Sequence, residues 1–101
     1  MAADDTYTVS QLRSLLAPVF ADNNVSSAVL FGSYGKGTAN PNSDVDILVD
    51  SGLRGLKFVG LLEQVTTALG KPVDLFDVSH VEPGSPVDLE IARTGVVIYA
   101  D

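Results

Sequence analysis

Apolar residues along this chain fall into short patterned stretches separated by Gly, Pro, Asn and Ser. Residues 8–22 carry Val9, Leu12, Leu15, Leu16, Val19 and Phe20. That three-to-four spacing marks one face of a helix. Thr8 or Ser10 can cap its start. Pro18 lies inside the stripe and predicts a kink or an end near Ala17, because proline has no N–H and its ring crowds the preceding turn. Residues 25–32 hold the run Ala28-Val29-Leu30-Phe31 and close on Gly32-Ser33, which reads as a strand entering a turn. Residues 33–43 contain Gly35, Gly37, Asn40, Pro41 and Asn42, a loop with room for one helical turn.

Residues 44–50 alternate charged with β-branched or aliphatic positions and predict a second strand. Gly52 and Gly55 follow. Leu56, Val59, Leu62, Val65 and Leu69 give residues 56–69 a second amphipathic stripe, with Gly70 as its stop. Residues 73–78 form a third strand, entered through Lys71-Pro72. Ser85-Pro86-Val87-Asp88 is a helix start, with Ser as the cap, Pro in the first helical position and Asp in the first turn. That helix stops at Gly95, and Val96-Val97-Ile98-Tyr99 is a final strand. The order helix, strand, strand, helix, strand, helix, strand predicts an α/β (α+β) fold, a small mixed β-sheet with helices mainly on one face.

Length and composition narrow this further. At 101 residues and 46% apolar, the chain reads as a single domain over residues 1–101 that can bury a core without staples. The absence of cysteine excludes a disulfide framework and a thiolate zinc site, and a single histidine excludes a multi-histidine metal site. No apolar run approaches the ~20 residues that span a bilayer. Met1-Ala2-Ala3-Asp4-Asp5 is acidic with no apolar run behind it, so no secretory signal is expected, and the expected location is cytoplasmic. Six basic and thirteen acidic residues give a net charge of −7. Such a surface repels phosphate backbones and anionic lipids, so neither direct nucleic-acid nor membrane binding is expected. Divalent cations or a basic protein partner suit it better.

The candidate chemistry lies in Phe31-Gly32-Ser33-Tyr34-Gly35-Lys36-Gly37, in Ser43-Asp44-Val45-Asp46-Ile47 and in Val73-Asp74-Leu75. Strand positions i and i+2 share a face, so Asp44 and Asp46 are expected to aim together while Val45 and Ile47 enter the core. Asp74 can face the same side from a neighbouring strand. Three carboxylates can hold two Mg²⁺ ions for in-line phosphoryl transfer, with Asp74 placed to accept the proton of an attacking hydroxyl. Gly32 and Ser33, where a strand meets a turn, allow close approach of backbone N–H groups to a phosphate, and Lys36 can add a positive charge. Ser33 reads as a binding group, since no general base stands near it in the pattern. Tyr34 reads as packing, His80 as a surface loop residue, and Arg93 and Tyr99 as packing or capping positions. On this reading the helices over residues 8–22, 56–69 and 86–94 cover the face opposite the carboxylates, and Leu48 and Phe76, on the carboxylate face, need a cover that either the C-terminal helix supplies in part or a docking partner provides.

These stretches resemble the nucleotidyltransferase superfamily with a DNA-polymerase-beta-like palm. Its signature is a hydrophobic residue before Gly-Ser, about ten intervening residues, Asp-hydrophobic-Asp, and a later acidic residue. Within that superfamily the chain is similar to the minimal nucleotidyltransferases, whose loop reads Gly-Ser-Tyr-Ala-Arg-Gly. Here Gly35 replaces Ala and Lys36 replaces Arg, and the second change weakens any bidentate phosphate contact. The resemblance implies catalytic and metal-binding roles for Asp44, Asp46 and Asp74, and nucleotide binding by Gly32, Ser33 and Lys36. It implies ATP as substrate and Mg²⁺ as cofactor. It also implies a role as antitoxin to a helical HEPN-type toxin, through transfer of AMP to a tyrosine of that partner. Two other functions fit the same sequence. One is a non-catalytic antitoxin that neutralises its partner by binding. The other is a nucleotidyltransferase for a small molecule, against which the lack of a second domain counts.

Overall fold

A computed structural model describes residues 6–100. The acidic stretch Met1-Ala2-Ala3-Asp4-Asp5 and Asp101 lie outside the described residues. The first helix, α1 (Val9–Asp22), opens with Thr8 as its cap. The Gln11 N–H donates to Thr8 Oγ1 at 3.0 Å, and the Thr8 N–H donates to the Gln11 side chain at 2.8 Å, so two otherwise orphaned donors are satisfied reciprocally. Of the kink or end expected near Ala17, the end does not occur, since α1 continues through Pro18 to Asp22. Pro18 and Ser14, whose carbonyl Pro18 cannot bond, are both exposed, so water can serve that carbonyl. The buried stripe Leu12, Leu16 and Phe20 runs through the proline. At about 1.5–3 kcal/mol per buried side chain, it outweighs the ~3 kcal/mol that a mid-helix proline costs.

The remaining elements are β1 (Ser27–Phe31), the one-turn α2 (Gly32–Gly35), β2 (Val45–Asp50), α3 (Leu56–Leu69), β3 (Val73–Asp77), a 3₁₀ turn (Val78–His80), α4 (Pro86–Thr94) and β4 (Val96–Ala100). The expected element order is therefore present. The four strands lie in the order β3-β2-β1-β4. β1 is antiparallel to both β2 and β4, whereas β2 and β3 are parallel. Parallel pairing of β2 with β3 requires a crossover, and α3 provides it.

The core lies on one side of this sheet. Ala28 and Leu30 from β1 and Val45, Ile47 and Val49 from β2 pack with Leu12, Leu16 and Phe20 of α1 and Leu61, Val65 and Leu69 of α3. Gly70 ends α3 at a φ of 66°, and its N–H donates to the Thr66 carbonyl at 2.8 Å. Tyr99 belongs to this layer, its ring centroid 5.5 Å from that of Phe20.

α4 does not join α1 and α3 on the face opposite the carboxylates, and it supplies part of the cover that Leu48 and Phe76 need. It lies over β1 and α2 on the other face, where an added Cβ on Gly95 would stand 3.0 Å from Val29 Cγ1. Val87 of α4 lines a cavity together with Phe76 of β3. The cause is legible in β1. Leu30 and Phe31 are consecutive and both buried, so both faces of the sheet need a cover at that end. Phe31 packs on Phe76 with centroids 5.7 Å apart, and α4 helps to close over this second apolar layer. Among the described residues no helix is long and apolar enough to cross a membrane.

Candidate active site

β2 sends Val45, Ile47 and Val49 into the core, so Asp46 points to the other face. The parallel register sets Asp46 beside Asp74 and Leu48 beside Phe76. Two carboxylates thus meet on adjacent strands. The Asp46 carboxyl is pushed up to about 6, first by burial, then by the charge of Asp74 and a hydrogen bond shared with it, and then by the charges of Asp44 and Glu90. Burial and the neighbouring carboxylates therefore disfavour a negative charge on Asp46. Chemically this is a pair of hard oxygen donors in need of a cation.

The antiparallel register with β1 places Phe31 opposite Asp46, so the turn that begins at Gly32 starts beside the carboxylates. Gly32 has a φ of +72°, and a Cβ there would stand 2.4 Å from Asp46 Oδ2. Any other residue would be strained and would displace the carboxylate. The Gly32 N–H does not face a vacant phosphate site. It donates to Thr94 Oγ1 at 2.9 Å. Gly32 thus serves the site by admitting Asp46, and the half-buried Ser33 follows it. The turn is closed by the Lys36 N–H to the Gly32 carbonyl at 3.1 Å and the Thr38 N–H to the Ser33 carbonyl at 2.9 Å. Lys36 stands exposed at its end.

Asp44 differs from the expectation. It precedes β2 and is exposed, so strand alternation does not govern its direction. Its neighbour Ser43 is held in a turn, with the Ser43 N–H to the Asn40 carbonyl at 2.9 Å and the Asn40 N–H to Ser43 Oγ at 3.0 Å. Asp44 lines a cavity of about 420 Å³ with Ser43, Lys71 and Pro72, and reaches Asp46 through its charge. Among the described residues no three His, Cys, Asp or Glu side chains are grouped closely enough to hold a metal ion. The structure assembles the Asp46–Asp74 pair and the Gly32 turn, with Asp44 at their margin.

Thr94, Glu90 and Lys71 adjoin the site, and Asp77 anchors the end of β3. Thr94 holds the Gly32 N–H, and its own hydroxyl donates to the Glu90 carbonyl at 2.7 Å. The Glu90 side chain adds negative charge near Asp46 and lies 3.6 Å from Arg93. Lys71 Nζ donates to the hydroxyl of Tyr34 at 2.7 Å, which pins the buried Tyr34 of α2 and bears out its packing role. Asp77, three residues after Asp74 and 3% exposed, accepts the N–H and hydroxyl of both Ser51 and Ser79 at 2.6–3.1 Å. Burial alone would raise its carboxyl, but these four bonds outweigh it and hold it at about 2. The Thr94–Gly32, Lys71–Tyr34 and Asp77–Ser51 contacts depend on long-range placement. The Asp77-x-Ser79 spacing and the helical spacings of Glu90 to Arg93 and Thr94 are local signals. His80 is exposed, as expected.

Comparison with known proteins agrees with this geometry. The family described as "Polymerase beta, Nucleotidyltransferase" matches residues 15–101. A Methanocaldococcus jannaschii chain named as a protein adenylyltransferase, MJ0435, is 30% identical over 77 residues, covering 74% of this chain and 83% of that one. Among solved structures, a toxin–antitoxin complex with AMP-PNP contains a chain 26% identical to this one, with a TM-score of 0.74 over 88% of this chain and 73% of that chain. The Shewanella oneidensis complex of a tri-AMPylated HEPN toxin with its MNT antitoxin shares the fold, with a TM-score of 0.70, 20% identity, and coverage of 93% of this chain and 74% of that one.

Proposed function

We propose that this chain, which belongs to the polymerase beta nucleotidyltransferase family, transfers AMP from ATP to a hydroxyl of a protein partner and thereby acts as an antitoxin. The observation that carries the reading is the contact of the Gly32 turn with the carboxylate pair, where Asp46 Oδ2 occupies the space that a Cβ on Gly32 would need. A phosphate-binding turn and two acidic groups in contact are what phosphoryl transfer requires. The activity named for the M. jannaschii relative and the nucleotide analogue in the toxin–antitoxin complex support AMP transfer and a toxin partner. The HEPN class of that toxin and a tyrosine as its acceptor rest on the resemblance of the Gly32-Ser33-Tyr34-Gly35-Lys36-Gly37 loop. A cytoplasmic setting fits a reaction that consumes ATP.

The residues divide the work. Ser33, with Lys36 at the end of its turn, binds the triphosphate. Asp46 and Asp74, with Asp44 at their margin, would hold Mg²⁺, whose charge would offset the repulsion between the carboxylates. When bound, the cation neutralises developing charge on the phosphate oxygens. The acceptor oxygen bonds to the α-phosphorus, the bond to the bridging oxygen breaks, and pyrophosphate leaves. Asp74 takes the hydroxyl proton. A phenol suits this base, because its ordinary pKa of about 10 is far below that of an aliphatic alcohol.

The test is intact-mass spectrometry of the toxin partner after incubation with this chain, ATP and Mg²⁺. Each transfer adds one AMP, and the gain disappears with the double change Asp44→Ala plus Asp46→Ala. A partner neutralised with no change in mass overturns the enzymatic reading in favour of neutralisation by binding.

A further inference from the structure

We propose that Thr94 is a positioning residue for nucleotide binding, whose hydroxyl locks the Gly32-Ser33 turn to α4. The proposal rests on the nucleotidyltransferase reading of the site and adds a residue outside its sequence motifs. Thr94 is the last residue of α4 and is buried. Its hydroxyl proton is committed to the Glu90 carbonyl at 2.7 Å, which leaves its oxygen to accept the Gly32 N–H at 2.9 Å. That N–H is buried with Gly32 and has no place in the α2 hydrogen-bond pattern, since the first N–H groups of any helix lack an internal partner. Without the threonine oxygen it would be buried unpaired.

Two other contacts make the lock rigid. The Thr94 carbonyl would lie 2.2 Å from a Cβ on Gly35, so the end of α4 sits flush against the far end of the same turn. Asp46 Oδ2 lies against Gly32 from the other side. The turn is thus clamped between α4 and the carboxylate pair, and its position determines where Ser33 meets the triphosphate. A turn freed from Thr94 samples other conformations, and the apparent affinity falls by the fraction of time it spends in the competent one. Asp46 and Asp74 stay in place, so the cost falls on nucleotide binding more than on the chemical step.

The experiment uses the full chain. Titration calorimetry with ATP and Mg²⁺ gives the affinity, and transfer to the toxin partner at varied ATP gives kcat and KM. Thr94→Val keeps the shape and removes the acceptor. We expect the ATP Kd and KM to rise about tenfold, the scale of a buried donor losing its partner, with kcat within about threefold. Thr94→Ser, which keeps the hydroxyl, should restore Kd to within about threefold of wild type. Val65→Ala in the α3 core serves as a control for lost stability and should leave Kd unchanged. A Thr94→Val protein with wild-type Kd and KM overturns the proposal, as does an equal rise in Val65→Ala. If Thr94→Val does not fold, amide exchange of Gly32 in the wild-type chain decides. Protection comparable to that of the central β1 amides supports the lock, and exchange at open-chain rates refutes it. A wild-type chain that binds no ATP overturns the parent reading instead, and this proposal with it.

Discussion

Replacing Asp46 with Asn should stabilise the ligand-free protein near neutral pH and abolish its response to Mg²⁺ and ATP. The Asp46 carboxyl lies at about 6 in the folded chain against an ordinary 3.8, a gap worth about 3 kcal/mol at ~1.36 kcal/mol per pH unit. Its carboxylate is only partly withdrawn from water, and solvent screening reduces the effect to about 1.5 kcal/mol. Below pH 3.8 both folded and unfolded chains hold the proton, and the group contributes nothing. Between 3.8 and 6 the folded state keeps the proton while the unfolded state releases it, so each rise in pH erodes stability. Above pH 6 the loss is complete. Asn has the same shape and offers Asp74 a donor at every pH, whereas the acid does so only below about pH 6.

The assay is thermal melting of both proteins in EDTA at pH 8 and at pH 4. At ~4–8 °C per kcal/mol for a domain of this size, Asp46→Asn should melt about 6–12 °C above wild type at pH 8. At pH 4 the two should nearly coincide. With Mg²⁺ and ATP the order reverses. A ligand at 100 times its Kd adds roughly 2.7 kcal/mol to the wild type, and the variant, missing one of two paired carboxylates, gains little. The reasoning fails if Asp46→Asn melts at or below wild type at pH 8 in EDTA. It fails equally if the gap is the same at both pH values, since repacking rather than charge would then be its cause.

Asp77→Ala should destabilise the chain by about 2.5 kcal/mol at pH 7, the worth of holding a carboxyl at about 2 against 3.8, read from urea unfolding. Because that carboxyl is depressed, the wild type has this stability in full above pH 3.8 and loses it as pH falls through 2. The difference between the two proteins should therefore shrink on acidification, and a gap that persists at pH 2 contradicts the assignment. Gly32→Ala meets a left-handed φ, costing about 1–2 kcal/mol, and a contact of 2.4 Å with Asp46 Oδ2. The chain should stay folded by circular dichroism while AMP transfer falls at least ~100-fold, the result of a displaced carboxylate. Transfer within threefold of wild type would show that Asp46 need not sit against the turn.

The elements were legible because their signals are local. Leu56, Val65 and Leu69 with Gly70 delimit α3, and Ser85-Pro86 starts α4, without reference to the rest of the chain. That α1 does not end at Pro18 has the same root. The rule that a proline breaks a helix counts only the helix's own bonds, whereas Leu16 and Phe20 on either side of it are anchored in a core that the local pattern does not show. Asp44 was placed with Asp46 by an alternation that holds only inside a strand, and β2 begins one residue too late to include it. The pairing of Asp46 with Asp74 followed from alternation on two strands and needed only the assumption that they are neighbours, which the parallel register satisfies.

The side of the sheet that α4 occupies could not be read in this way, and it matters most for function. A helix with Val87, Leu89 and Ile91 has an apolar side in either position, and Leu89 remains 55% exposed in the one it takes. What decides the matter is the close fit of glycines, Gly35 under the Thr94 carbonyl and Gly95 against Val29. These are tertiary contacts between segments some sixty residues apart, and sequence spacing carries no trace of them. The consequence is chemical. On the core side, α4 would be one more cover for Ile47 and Val49. On the carboxylate side it brings Glu90 near Asp46 and the Thr94 hydroxyl to the Gly32 N–H. The catalytic motifs name the groups that react, but the helix that holds the turn in place lies outside them, after β3. A search confined to the Gly-Ser and Asp-x-Asp segments would therefore find the chemistry and miss what positions it.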